Sequence, residues 1–286
     1  MNIRSLLLNT DLFFHRFSGE VLSREGYIVV RTPSNPDYYW GNYLLFDAPP
    51  TLDDGPRWVE LFDREIAASV PVRHRAFTWD SPEGAPAAVG PFLEQGFSLS
   101  SQAGLVAHHP VRSPIIAEGV TVRVLEGDDD WHKAWENQQA DLPEGTNSAQ
   151  HAAYLTKRMA AFRHMADRGC GAWFGAFVGD RLVGDLGLFF ENSVGRFQEV
   201  ETHPLFRRRG ICHTLVAEAS RHARQCWGVD TLVIAAERGE PAERIYLSLG
   251  YLPTEDLKTL QQNPLTAERA SCGRSVGKGR SGADKA

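Results

Sequence analysis

The residues most able to do chemistry lie in one run, Val200-Glu201-Thr202-His203-Pro204-Leu205-Phe206-Arg207-Arg208-Arg209-Gly210-Ile211-Cys212. It reads as a strand, a proline-marked turn and the start of an amphipathic helix. The first turn of a helix presents amides with no intrahelical acceptor and the positive end of the dipole, so it attracts anions. Gly210 permits close backbone approach, and Arg207, Arg208 and Arg209 add charge suited to phosphate. A basic surface turn entering a helix gives the same local pattern, so the run by itself leaves both readings open. It matches neither a Walker loop nor the dinucleotide G-x-G-x-x-G pattern. Around it stand carboxylates able to accept a proton: Glu199 and Glu201 on one face of the strand, and Glu237 at the end of the next one. His203 lies near the turn and reads as structural.

The elements that position this run are legible by periodicity. Val120 to Leu125 alternates as a strand, and Asp128, Asp129 and Asp130 offer an N-cap for a helix through Gln139. A longer helix follows Thr146 or Asn147, with Leu155, Met159 and Phe162 on one face and Gly169 closing it. A hairpin spans Trp173 to Val178 and Leu182 to Phe190, and a turn at Asn192 to Gly195 leads into a strand over Phe197 to His203. The helix from Gly210 to about Gln225 buries Ile211, Leu215, Ala219 and Cys226. A strand over Thr231 to Ala235, a helix over Pro241 to Leu249 and a strand from Tyr251 complete the order β-α-α-β-β-β-α-β-α-β.

Length and composition set bounds. The 286 residues are 42% hydrophobic and 23% charged, with a net charge of -6. This is a globular composition long enough for two domains. Residues 261–286 carry +3, which leaves -9 on residues 1–260. An acidic body argues against nucleic acid as a partner and mildly favours a cationic substrate. No apolar run approaches a membrane span, and Met1 to Phe14 lacks the form of a signal peptide. Four cysteines without C-x-x-C spacing fit a reducing cytoplasm, the expected location. His108 and His109 are adjacent, have no acidic or cysteine partner at ligand spacing, and read as linker rather than a metal site. From Gln261 onward the chain is too polar to offset ordering entropy and reads as a disordered tail.

The motifs carry a resemblance. Arg207-Arg208-Arg209-Gly210-Ile211-Cys212 resembles the R/Q-x-x-G-x-G/A acyl-CoA loop of the GNAT acyltransferase superfamily, and Val200 to Pro204 resembles the strand that leads into it. About 45 residues further on, Ala242-Glu243-Arg244-Ile245-Tyr246-Leu247-Ser248-Leu249-Gly250-Tyr251 resembles the family's A-x-x-L/I-Y-x-x-L/M-G-F/Y signature. The resemblance covers about 140 residues, element order included. Two positions depart from it: Cys212 stands where Gly or Ala is usual, and Gly239 where Asn is frequent. The fold implied is α/β, a mixed sheet of the GNAT type. The co-substrate implied is acetyl-CoA, its pantetheine arm held by backbone groups of Val200 and Thr202 and its pyrophosphate by Arg207, Arg208, Arg209, Gly210, Ile211, Cys212 and His213. Tyr246 would protonate the leaving thiolate, with Glu199 or Glu201 as base. Acceptor specificity would lie in residues 127–168, where Asp141 and Glu144 are the anionic groups of a loop.

The first 110 residues hold strands at Tyr27 to Thr32, Tyr43 to Phe46 and Val72 to Thr78, with a helix lined by Trp58, Phe62 and Ile66. Phe92-Leu93-Glu94-Gln95-Gly96-Phe97 matches Tyr246 to Tyr251 at an offset of 154 residues, without the phenol. This points to two similar domains: residues 1–113, a truncated and degenerate GNAT-like domain with no Arg-x-x-Gly loop, and residues 114–260, catalytic. The aromatic turn Asn35 to Asn42 either stacks on a substrate or packs into the core. The expected function is N-acetyl transfer to a primary amine of a small molecule or peptide, by direct attack in a ternary complex and without a metal. The alternatives are a non-catalytic acyl-CoA-binding or regulatory protein, and a protein whose first half serves assembly. Homodimer formation is compatible with either.

Overall fold

The structure, a computed structural model, describes residues 1–142 and 145–263. In chain order the elements are α1 (Leu6–Ser18), β1 (Glu20–Arg24), β2 (Tyr27–Arg31), β3 (Tyr43–Phe46), α2 (Asp54–Phe62), β4 (Arg75–Trp79), α3 (Gly90–Glu94) and β5 (Ser98–Ala107). They continue with β6 (Thr121–Val124), α4 (Gly127–Gln138), α5 (Ser148–Asp167), β7 (Gly171–Val178), β8 (Arg181–Glu191), β9 (Val194–Thr202), α6 (Ile211–Trp227), β10 (Thr231–Glu237), α7 (Pro241–Ser248) and β11 (Leu252–Gln262). All the strands form one mixed sheet in the order β1-β2-β3-β4-β11-β5-β10-β9-β8-β7-β6.

The two halves are interlocked. The last strand of the first half, β5, runs antiparallel to β10 from Leu232↔Ala107 to Glu237↔Gln102. The last strand of the chain, β11, pairs with β5 on one edge and with β4, from Thr259↔Thr78 to Gln262↔Arg75, on the other. The offset of 154 residues extends beyond the motif: it carries β3 onto 197–200 inside β9, α3 onto 244–248 inside α7, and β5 onto 252–261 inside β11. Gly96 and Gly250, both with positive φ, occupy the equivalent helix-to-strand turns.

Helix α1 was not foreseen from the apolar patches of the N-terminus. Ser5 caps it, and Leu7, Leu8, Leu12, Phe14 and His15 are its buried face. Its first turn is held by the other half: the Glu255 carboxylate on β11 accepts the Leu6 N–H at 2.6 Å and the Leu7 N–H at 3.2 Å, as a carboxylate does at a helix N-terminus.

Several expectations are corrected. The cap of α4 is Glu126, while the Asp130 carboxylate accepts the Glu126 N–H and binds Arg123. The buried stripe of α6 ends at Ala223, and Cys226, near the C-terminal end of the helix, is exposed. Gln261 and Gln262 belong to β11 rather than to a tail, because β4 and β5 supply them with backbone partners. The rest of the expected disordered tail lies outside the described residues. Among the described residues no helix is long and apolar enough to cross a membrane.

Removing residues 1–113 would strip β11 of both its neighbours and leave β10 with an open edge, an invitation to aggregation. Residues 114–263 expressed alone are expected to lack a cooperative thermal transition, or to precipitate. Circular dichroism melts against the full chain check this.

Candidate active site

The site begins where two parallel strands part. Strands β9 and β10 pair only at Thr231↔Val194, Leu232↔Gly195 and Val233↔Arg196. Beyond Arg196 they diverge, and β10 continues against β5 alone. On its other edge β9 slips register against β8 between Asp185↔Glu201 and Gly187↔Gln198. The bulge contains Glu199 at φ 47°, a strained value for a residue with a side chain. Gln138 of α4 holds it by donating to the Glu199 carbonyl at 2.8 Å.

The wedge between the strands opens into a cavity of about 470 Å³, within the range of small-ligand sites. Glu199, Val200, Glu201, Ala242 and Tyr246 line one side, and Asp11, His15, Tyr38, Trp40 and Tyr43 come from the first half of the chain. Tyr154 and Arg158 of α5 complete the wall. The aromatic turn Asn35 to Asn42 is therefore divided: Tyr38 and Trp40 face the cavity, while Tyr39 stacks on His74 at 4.0 Å.

Tyr246, Glu199, Glu201 and Val200 thus come together at one cavity. Tyr246 is only 3% exposed. Burial, with Cys212 and Tyr251 beside it, pushes its phenol well above the usual range, so it carries its proton at neutral pH. Glu201 is already engaged: its Oε1 accepts the Thr202 N–H and an Arg207 Nη2–H, both at 3.0 Å. Arg207 also donates to the Thr202 carbonyl at 3.2 Å and binds Asp141. Two groups expected at the cofactor are engaged within the protein. Arg207 is turned back onto Glu201 and Asp141 rather than toward an anion at the helix start, and both backbone groups of Thr202 have protein partners. Asp141 is accordingly an ion-pair partner of Arg207. Glu144 lies outside the described residues. Glu237 is exposed and does not line the cavity, and His203 accepts the Leu205 N–H at the turn after β9.

The helix start fits an anion. Gly210 caps α6 at φ 75° with no side chain occupying the first-turn amides of Ile211, Cys212 and His213. A Cβ at Gly210 would stand 2.6 Å from Ile115, so glycine is required there on both counts. Arg208 and Arg209 make no ion pair among the described residues. His213 anchors the helix to α7 through Ser248 Oγ at 2.9 Å. Burial pushes the Cys212 thiol up to about 12, so it is no nucleophile at neutral pH. Among the described residues no His, Cys, Asp and Glu group has metal-binding geometry.

Sequence reasoning missed Asp185. It is fully buried behind the bulge and accepts hydrogen bonds from Asn137 Nδ2 at 3.0 Å, Gln138 Nε2 at 2.9 Å and Trp173 Nε1 at 3.1 Å. Gln138 therefore bridges the Asp185 carboxyl and the Glu199 carbonyl. Burial raises the Asp185 carboxyl to about 7 despite these donors. The only hint in the sequence was an acidic residue inside an apolar strand.

Residues 131–251 match the model of the acetyltransferase (GNAT) family. No curated protein matches the sequence. Among solved structures the chain is similar to a GCN5-related N-acetyltransferase from Kribbella flavida, at 17% identity and a TM-score of 0.65, over 92% of this chain and 96% of that one. It is also similar to a functionally unknown conserved protein from Staphylococcus epidermidis, at 15% identity and 0.68, over 86% and 95%. A tandem GNAT protein from the clavulanic acid biosynthesis pathway aligns at 14% identity and 0.50, over 73% and 68%. At these identities the likeness is one of fold, and the fold is the mixed α/β sheet of GNAT proteins.

A carboxyl whose folded pKa lies above its unfolded value favours the folded state at low pH, and that contribution is lost as pH rises through the folded value. Asp185 should therefore lower stability progressively between about pH 4 and pH 7. Asp185→Asn is expected to flatten the dependence of Tm on pH across that window, which thermal melts at stepped pH measure.

Proposed function

We propose that the chain is an N-acetyltransferase that moves an acetyl group from acetyl-CoA to a primary amine, by direct attack in a ternary complex. The carrying observation is the parted strand pair, with a helix start at Gly210 that no side chain caps on one side and the protonated Tyr246 phenol facing the cavity on the other. In this reading the amides of Ile211 to His213, with Arg208 and Arg209, take the pyrophosphate. The edge of β9 at Val200, which no strand covers on the wedge side, takes the pantetheine arm.

Chemistry follows from position. The amine nitrogen attacks the thioester carbonyl, the C–S bond breaks, and the thiolate takes the phenolic proton of Tyr246. Glu199 is the better-placed base, because Glu201 is held by Arg207 while the Glu199 carboxylate borders the cavity with a 3.6 Å ion pair as its nearest cationic contact. Among the described residues no cysteine or serine lines the cavity, which supports direct transfer over an acyl-enzyme. We assign residues 114–260 the catalytic role and the first half the role of a cavity wall.

Calorimetric titration with acetyl-CoA and CoA tests the reading. Both are expected to bind, and Arg209→Glu, at a position free of backbone strain, should weaken binding more than 10-fold. Tyr246→Phe should leave CoA binding unchanged and lower turnover, followed by thiol release, by about 10²-fold. Absence of CoA binding to the full chain overturns the proposal. Binding without turnover across an amine library identifies a non-catalytic acyl-CoA-binding protein instead.

A further inference from the structure

The acceptor end of the cavity contains a cation that its protein surroundings do not fully satisfy. Arg158 of α5 is buried, its side chain 5% exposed. Its guanidinium lies 4.0 Å from the ring centre of Tyr38 and 4.3 Å from that of Phe162. These stacks hold the group flat but supply no acceptor for its N–H bonds. The nearest carboxylate oxygen belongs to Glu199, 3.6 Å from Nη2, too far for a good hydrogen bond. Its Nε has no partner among the described residues. The other buried guanidinium, Arg196, shares an unpartnered Nε but has its terminal nitrogens engaged: it donates to Asp11 at 3.1 Å and to the Phe197 carbonyl at 2.9 Å. A buried guanidinium with spare donors, aimed into a cavity, is matched by a carboxylate, which takes two parallel N–H bonds.

Glu199 bears on the other end of such a ligand. It is the base of the proposed reaction and must meet an ammonium, and a Glu199 drawn to an ammonium relinquishes its loose hold on Arg158. A buried cation that loses its nearest anion is destabilised unless another replaces it. A zwitterion satisfies both partners at once. Four aromatic rings line the cavity as well, Tyr38, Trp40, Tyr43 and Tyr154, from the first half and α5. His15, held neutral by burial and the nearby Arg158, brings no competing charge.

We infer that the acceptor is an amino acid with a bulky apolar side chain, its carboxylate taken by Arg158 and its ammonium by Glu199, between the aromatic walls of the cavity. This inference rests on the acetyltransferase reading for the chemistry but not for the binding.

The test is calorimetric titration of L-phenylalanine, L-phenylalaninamide and phenethylamine into the full chain, with and without saturating CoA. L-phenylalanine is expected to bind at least 10- to 100-fold more tightly than the two probes that lack the carboxylate. Arg158→Gln should abolish the preference, and Arg158→Lys should restore only part of it. The comparison of the three probes on the unaltered protein stands even if the Arg158 variants fail to fold. Equal affinities for the three probes, or no binding of L-phenylalanine, overturn the inference. CoA binding without L-phenylalanine binding leaves the acetyltransferase reading in place, and absence of CoA binding overturns that reading on its own.

Discussion

Strand β5 hydrogen-bonds to β10 along one edge and to β11 along the other, and this exchange decides where the remaining elements sit. Each half gives its last strand a neighbour from the other half. Two sheets that would each end in an open edge become one continuous sheet, and the edges next to the site disappear. Helix α1 is drawn onto the junction by Glu255 of β11, which caps its first turn, and by Asp80, whose carboxylate accepts the Ser5 N–H at 2.9 Å just beyond β4. With α1 fixed there, Asp11 and His15 reach the wedge between β9 and β10. The cavity is therefore a product of the junction and not of either half alone.

The two halves show how one plan diverges chemically. In the first, β3 and β4 run parallel as β9 and β10 do, from Leu44↔Phe77 to Phe46↔Trp79. The space behind them is filled: Phe46 stacks on Trp58 at 3.6 Å, and Phe92, the counterpart of Tyr246, packs on Trp58 at 5.4 Å and Phe97 at 5.5 Å. The offset of 154 residues places Asp53, Asp54 and Gly55 where the second half has Arg207, Arg208 and Arg209. An acidic helix start repels the anion that a basic, glycine-capped one attracts. The Asp54 carboxylate instead accepts the Thr51 N–H at 2.8 Å. Large aromatics thus fill, behind β3 and β4, the space that is a cavity beside β9 and β10.

What the sequence disclosed follows from how local each signal is. The helix start at Gly210, the tyrosine of α7 and the elements from β6 to β11 rest on spacings of a few residues, and they were legible. The strand exchange was not, because the pairing of β5 with β11 links residues about 150 apart and Ser98 to Gln102 is polar with little alternation. Asp11 and Arg196 are 185 positions apart, so neither carried any mark of the other. Arg158 sits between Leu155 and Met159, where a long cation reads as a solvated helix residue, and only the fold places Tyr38 beneath it. The bulge at Glu199 also escaped notice, since β9 reads as an ordinary alternating strand until its register against β8 is known.

The buried charges explain why the first half persists without a cleft of its own. Arg196 lies at the point where β9 and β10 part, and it is 8% exposed. Its carboxylate partner, Asp11, comes from α1. Arg158 likewise depends on Tyr38, from the turn before β3, for one of its two aromatic faces. Removing one partner from a buried ion pair costs about 3–5 kcal/mol, because the remaining charge is left desolvated. Two of the buried cations that line the cavity, Arg158 and Arg196, therefore depend on residues of the first half. Without an Arg-Gly helix start of its own, the first half still contributes to the cavity through Asp11, which pairs with Arg196, and Tyr38, which stacks on Arg158.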